Sequence, residues 1–139
     1  MDTFEYAELA GNGTISIVDK TKKFLEEAER RNSEYGFFNV IDEKSALEQA
    51  KELEKKVKSG KAKGKLFGVP VSVKDCICVK GMESTASSKI LKGYIPLFDA
   101  TVVERARVEG AIIIGKTVQD EFGLGTFSTN IGNGRIPVN

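Results

Sequence analysis

The chain has 139 residues, of which 40% are apolar and 29% are charged, and its formal net charge is +1 at pH 7. This composition is typical of an ordinary soluble domain, and the near-neutral charge provides no general surface for binding nucleic acid. No apolar run approaches the length of a membrane span, and the acidic start is unlike a secretory signal. We therefore expect a cytoplasmic protein that does not bind a membrane.

The sequence contains no histidine and only two cysteines. A serine–histidine relay, a histidine acid–base and a histidine-ligated metal are therefore excluded for this chain. Cys76 and Cys78 lie one residue apart on an extended stretch, which is a poor spacing for bonding each other, so we expect reduced thiols. Two cysteines without a companion pair do not make a zinc site, and we predict no metal.

The first 58 residues predict a lead-in, a helix, a short strand and a second helix. Residues 1–15 show no period, so we interpret them as a loose lead-in. Ser16 and Asp19 form a capping signature for a helix that ends near 30–31. Its predicted inward side chains are Ile17, Thr21, Phe24, Leu25 and Ala28.

Residues 35–41 resemble a short strand or an extended link, and Ser45 with Glu48 forms a capping box that opens a second helix to about Lys58. The predicted inward side chains of this second helix are Ala46, Ala50, Leu53 and Val57. The lysine-rich residues 55–65 then form a turn into the next strand.

Residues 69–73 predict a buried strand that ends in Lys74 and Asp75. Pro70 lacks an N–H and is expected at the beginning of this strand or on an unpaired edge. A lysine held in apolar surroundings favours the neutral amine and can act as a base near neutral pH. The alternative is a strand-end lysine that extends into water, and spacing alone favours this alternative.

A third helix is predicted from Asp99, as its cap, to Glu109, with Val102, Val103 and Ala106 inward. Gly110 ends this helix, and residues 111–114 read as a buried strand. The order of helix, glycine and strand indicates a layered α/β fold.

Residues 110–117 match the phosphate-loop pattern G-x-x-x-x-G-K-T. That loop normally follows a strand and leads into a helix, whereas here a helix comes first. The four middle residues are one alanine and three isoleucines, and β-branched side chains favour a strand. We therefore predict that this segment is a strand and that it binds no nucleotide.

Five segments in chain order carry a family resemblance: residues 68–75, 85–89, 99–105, 110–117 and 120–123. Together they resemble the amidase-signature family over about residues 35–130. The closest resemblance is to members that serve as the A subunit of glutamyl/aspartyl-tRNA amidotransferases. The resemblance implies the N-terminal portion of a layered α/β/α sandwich, with N-terminal helices followed by the strands of a mixed sheet. We expect residues 1–139 to be one portion of a single domain.

The resemblance also implies a chemistry, in which Lys74 matches the lysine of a Ser-cisSer-Lys amidase and acts as its base. Gly125 and Thr126 match a stretch that borders the substrate pocket. Glutamine would be hydrolysed, and its ammonia would pass to a partner that amidates misacylated tRNA. The implied partners are the B and C subunits of the amidotransferase, with tRNA bound mainly by a partner. This chain would bind no cofactor, because ATP and Mg belong to the partner.

Several positions depart from the family pattern. Cys76 stands where the family usually has asparagine, and Val118 and Gln119 stand where it has asparagine and methionine. The family's glycine- and serine-rich segment, with both catalytic serines, is expected beyond residue 139. Four serines are candidates by composition only, and each is interpreted as a structural residue in a turn: Ser84, Ser87, Ser88 and Ser128.

Two classes of function therefore remain open. The first is the base-bearing part of an amidase, acting on glutamine or on a more general amide, and inactive as this chain alone. The second is a non-catalytic α/β interaction module that keeps the scaffold.

Overall fold

The computed structural model describes residues 1–138 as four α-helices, three β-strands and two short 3₁₀ turns. The elements are α1 (Thr3–Gly11), α2 (Ile17–Tyr35), β1 (Phe38–Ile41), α3 (Glu43–Lys58), β2 (Pro70–Lys74), α4 (Thr101–Val108) and β3 (Ile112–Thr117). The 3₁₀ turns are Lys89–Leu91 and Glu121–Gly123. β2 begins at Pro70, as the missing N–H of proline predicts.

The three strands form a mixed sheet with β3 in the middle, in the order β1-β3-β2. β1 runs antiparallel to β3, whereas β2 runs parallel to it, with Lys74 beside Thr117. Because β2 and β3 are parallel, their carboxyl ends meet at the same edge of the sheet.

Apolar side chains cover the sheet on both faces. On one face, Ile112 and Ile114 pack with the buried residues of α1, α2 and α3. On the other face, Ile113 packs with Val73 and with Val103 of α4. Side chains alternate along a strand, so β3 contributes to both layers. The predicted layered α/β/α sandwich is confirmed in these residues.

The interpretation of residues 1–15 as a loose lead-in is wrong, because α1 occupies most of them. Asp2 caps this helix by accepting the Glu5 N–H at 2.9 Å. Tyr6, Ala7 and Ala10 are buried. The helix buries only three side chains and leaves Phe4 exposed, so its sequence carries little helical periodicity.

The ends of α2 and α3 also differ from prediction. Ser16 caps α2 as expected, but the helix continues to Tyr35 and ends at Gly36, whose φ of 70° suits a glycine C-cap. Asp42 caps α3 by accepting the Ser45 N–H at 2.9 Å, so this helix begins two residues before Ser45. An aspartate is an equally good cap, which is why the later capping box misplaced the start.

Asp99 does not cap α4, since the helix begins after Ala100 with no side-chain cap. Asp99 instead accepts the Lys80 N–H at 2.7 Å and bonds Arg107 Nε at 3.0 Å. The prediction that Val102 points inward is wrong, because it is 61% exposed, whereas Val103 is buried as expected. A short helix on one sheet face buries a narrow stripe, and Val102 lies beside that stripe.

The phosphate-loop pattern falls on β3, as its β-branched residues predict. Ile112, Ile113, Ile114, Gly115 and Lys116 are all buried in the sheet. At Gly115 a Cβ atom would lie 2.2 Å from the Val40 carbonyl oxygen, so the glycine permits close approach of β1. The glycine that matches the pattern therefore serves strand pairing.

Gln49 on α3 ties this helix to β3. Its Oε1 accepts the Ile113 N–H at 3.1 Å, and its Nε2 donates to the Ile113 carbonyl at 3.2 Å. Arg107 of α4 also donates to Gln49 Oε1, at 2.6 Å. The Gln49 side chain thus provides hydrogen bonds for the Ile113 N–H and carbonyl, which β1 does not pair with. Within residues 1–138, none of the helices is long and apolar enough to cross a membrane.

Candidate active site

Lys74 lies at the carboxyl end of β2, and its side chain is exposed in this chain. The backbone that follows is fixed by hydrogen bonds. The Asp75 N–H donates to the Thr117 carbonyl at 3.0 Å, and the Ile77 N–H donates to the Lys74 carbonyl at 2.9 Å. A tight turn at the edge of the sheet therefore carries the candidate base.

A cavity of about 310 Å³ opens at this edge, and its walls are mainly polar. Lys74, Gly125 and Thr126, the three site residues predicted from sequence, all line it. The other lining residues are Thr117, Val118, Gln119, Asp120, Gly123 and Ser128. The fold thus brings residues about 50 positions apart in the chain to one concave surface.

Asp120 holds the loop that forms one wall of this cavity. Its carboxylate accepts the N–H groups of Ser128 and Asn130, each at 2.9 Å. The Asn130 N–H, with the Ser128 and Thr129 N–H groups and the Lys74 charge, lowers the pKa of Asp120 although burial opposes the shift. A Cβ at Gly125 would lie 2.3 Å from Asp120 Cγ, so glycine is required for this packing.

Asp75, the residue after Lys74, is buried at 1% exposure and accepts four hydrogen bonds. The donors are Thr85 Oγ1 at 2.6 Å, the Thr85 N–H at 3.3 Å, the Ser87 N–H at 3.1 Å and Asn39 Nδ2 at 2.9 Å. Burial alone would raise the pKa of Asp75, but these donors and the nearby Lys116 ammonium hold it below its usual value. Asp75 therefore joins β1, β2 and the 84–88 segment.

Lys116, the lysine of the phosphate-loop pattern, is completely buried on β3. Its Nζ donates to Ser84 Oγ at 2.6 Å and to the Asp75 carbonyl at 3.2 Å, and it lies 3.4 Å from Asp75 Oδ1. Burial lowers the pKa of Lys116, while the Asp75 carboxylate opposes that shift. The buried charge is thus paired and hydrogen-bonded, as a lysine in this position requires.

Three of the four serines considered as composition-only candidates are held in structural contacts, whereas Ser128 lines the cavity beside Lys74. The Ser87 carbonyl accepts the N–H groups of Gly132 and Asn133, and Ser88 Oγ accepts the Ile90 N–H. Ser84 Oγ donates to the Met82 carbonyl at 3.3 Å and accepts from Lys116, so its proton does not face a base. These contacts agree with the interpretation of Ser84, Ser87 and Ser88 as structural residues.

The sequence interpretation missed the buried polar cluster formed by Asp75, Lys116 and the 84–88 segment. Its serines and threonine are 0–4% exposed rather than on the surface. Ala86 and Ser87 have φ values of 49° and 54°, which are uncommon for residues other than glycine. The available signal was the run of small polar residues at 84–88, which follows the Lys74-Asp75 pair along the chain. Most hydrogen-bond partners of this run, such as Lys116 and Gln119, are distant in sequence.

Both cysteines are free thiols, and Cys76 is exposed beside the candidate base. The Cys76 N–H donates to Gln119 Oε1 at 3.2 Å, although the position lacks the family's asparagine side chain.

The chain is similar to related proteins in both sequence and fold. A family model described as Amidase matches residues 19–139. The A subunit of the Clostridium kluyveri glutamyl-tRNA(Gln) amidotransferase is 39% identical over 123 residues, which are 88% of this chain and 25% of the relative. The chain therefore spans about a quarter of the length of the curated relatives it matches.

Two solved structures illustrate the shared fold. The A subunit of the Thermotoga maritima glutamyl-tRNA(Gln) amidotransferase is 30% identical, with a TM-score of 0.64 over 81% of this chain and 22% of that one. The Stenotrophomonas maltophilia peptide amidase is 27% identical, with a TM-score of 0.80 over 88% of this chain and 25% of that one. Since the family model also covers most of its residues, the chain belongs to the amidase-signature family.

Proposed function

We propose that this chain provides the general base and one wall of the substrate pocket of a glutamine amidase that supplies ammonia for tRNA-dependent amidation. The observation that supports the proposal is the cavity shared by Lys74, Gly125 and Thr126 in a chain of the amidase-signature family. The relatives named as the A subunit of glutamyl-tRNA(Gln) amidotransferases favour glutamine over a general amide.

In this mechanism the neutral Lys74 amine takes a proton through a bridging serine from a nucleophilic serine. The serine oxygen attacks the glutamine side-chain carbonyl, the C–N bond breaks, and the proton returns to the departing ammonia. Water then hydrolyses the acyl-enzyme to glutamate. Both serines would lie in the part of an amidase polypeptide that follows the stretch matched by residues 1–139.

Lys74 is exposed among residues 1–138, so these residues do not desolvate it. We propose that the rest of an amidase polypeptide covers the cavity and thereby favours the neutral amine. ATP, Mg and tRNA would be handled by the B and C subunits. The chain alone is then expected to release no ammonia from glutamine, because a base without a nucleophile performs no acyl transfer.

The test is a fusion in which this chain replaces the matched quarter of the Clostridium kluyveri relative. Lys74→Arg keeps the charge but cannot provide a neutral amine, and it should lower the rate of glutamine hydrolysis by about 10²–10⁴-fold. Lys80→Arg, at another exposed lysine, is the matched control and should keep the rate. A Lys74→Arg fusion that retains more than about a tenth of the rate would refute the assignment.

A non-catalytic interaction module is the competing proposal. It is favoured if the fusion folds, binds the partner subunits and hydrolyses no glutamine.

A further inference from the structure

The peptide bond between Asp75 and Cys76 is held by side chains on both sides. Lys116 Nζ donates to the Asp75 carbonyl at 3.2 Å, and the Cys76 N–H donates to Gln119 Oε1 at 3.2 Å. Both holding residues come from β3 or from the two residues after it. This peptide follows Lys74 by one residue, so the two hydrogen bonds restrain the backbone next to Lys74.

Gln119 is itself fixed in place and lines the cavity. It is 2% exposed, and its backbone N–H donates to Ser87 Oγ at 3.1 Å. Because the Cys76 N–H is a donor, the side-chain atom that faces it must be the oxygen. The Nε2 group is then left buried with no hydrogen-bond partner among residues 1–138.

An unpaired buried donor is costly, and an apolar side chain of similar size would avoid it. The family usually has methionine at this position and asparagine where this chain has Cys76. Packing alone therefore does not explain the glutamine, and we relate it to the cysteine that accompanies it here. The feature that only the glutamine oxygen provides is the hydrogen bond to the turn that carries Lys74.

We propose that Gln119 is a positioning residue, which holds the Asp75–Cys76 peptide together with Lys116 and so fixes the backbone of the base Lys74. This inference rests on the proposed function for its catalytic consequence. The structural consequence, protection of the Cys76 backbone amide from hydrogen exchange, can be measured in the 139-residue chain itself.

Gln49 provides a matched control. Its Oε1 also accepts a backbone N–H, that of Ile113 at 3.1 Å, but it does not line the cavity beside Lys74. Gln119→Met and Gln49→Met each remove an amide oxygen that accepts a backbone N–H, and Gln49→Met also removes the bonds of Gln49 to the Ile113 carbonyl and to Arg107. Gln119→Glu keeps an oxygen that can accept the Cys76 N–H.

The first measurement is amide hydrogen exchange by NMR on the 139-residue chain, corrected for global unfolding. In Gln119→Met the Cys76 amide should exchange at least about tenfold faster than in the unsubstituted chain. In Gln119→Glu and in Gln49→Met it should remain protected. Unchanged protection of Cys76 in Gln119→Met would overturn the proposal.

The second measurement is glutamine hydrolysis by the fusion described above. Gln119→Met should lower kcat about tenfold, with KM changed less than threefold, because a misplaced base slows the chemical step. Gln119→Glu should recover most of kcat, and Gln49→Met should keep it. An equal loss of kcat in Gln49→Met would mean that Gln119 acts only through stability, and would overturn the proposal.

The proposed function and the positioning role of Gln119 can be refuted separately. If Lys74→Arg keeps the rate of the fusion, the proposed function is wrong and the catalytic role of Gln119 falls with it. If Lys74→Arg abolishes the rate but Gln119→Met keeps kcat within twofold, the function stands and the positioning role is refuted.

Discussion

Breaking the buried pair of Asp75 and Lys116 should be among the most damaging single changes in this chain. Lys116→Met removes the ammonium with little change in side-chain volume and leaves the Asp75 carboxylate buried at 1% exposure. Removing one partner of a buried pair typically costs about 3–5 kcal/mol. Four hydrogen-bond donors to Asp75 remain, so we expect a loss near the lower value, about 3 kcal/mol.

The measurement is urea and thermal unfolding followed by circular dichroism. Ordinary domains have a free energy of unfolding of about 5–15 kcal/mol, so the loss is a large fraction of the total. For a chain of this size it corresponds to a fall in Tm of roughly 12 °C. Lys55→Met is the control: Lys55 pairs with Glu52 at 2.6 Å on the surface, and its loss should cost less than about 1 kcal/mol.

A double-mutant cycle identifies the pair as the cause. Asp75→Asn combined with Lys116→Met leaves no buried charge, and should be more stable than the sum of the two single losses predicts by about 2 kcal/mol. A loss of less than about 1 kcal/mol in Lys116→Met, or additive effects in the cycle, would refute the reasoning.

Three further outcomes are expected. Because the pKa of Asp75 is lowered in the folded chain, the contribution of Asp75 to the free energy of unfolding is present above about pH 4 and is lost as the pH falls through the folded pKa. Asp75→Asn should flatten this acid dependence of stability in urea titrations, and an unchanged slope would contradict the expectation. Gly115→Ala should cost about 1–3 kcal/mol, since its Cβ meets the Val40 carbonyl, whereas Gly11→Ala should be neutral or stabilising in the same assay. Calorimetric titration should detect no saturable ATP binding, because residues 112–117 form a buried strand; saturable binding would reverse the assignment.

The sequence predicted those features that depend on neighbouring residues. The Ser16 cap, the strand start at Pro70 and the β-branched residues of β3 are local signals, and the structure confirms them. The helix α1 was missed because it buries only three side chains, so its apolar period is weak.

The buried polar cluster could not be predicted in the same way. Asp75 is bonded to Asn39, 36 residues away, and Lys116 is bonded to the Asp75 carbonyl, 41 residues away. No local pattern reports such distances, and a lone buried lysine resembles any other lysine in sequence. The shared cavity of Lys74, Gly125 and Thr126 followed from family resemblance, since their spacing alone carries no such information.

The central place of β3 has a consequence for the order of folding. Among residues 1–138, β1 and β2 each pair with β3, which follows both of them along the chain. During synthesis from the N-terminus, β1 and β2 therefore remain unpaired with β3 until residues 112–117 leave the ribosome. Such long-range pairing slows folding, and apolar strand edges are exposed in the interval. Substitutions in β3 should thus reduce the yield of soluble chain during expression more than equally destabilising substitutions in α2.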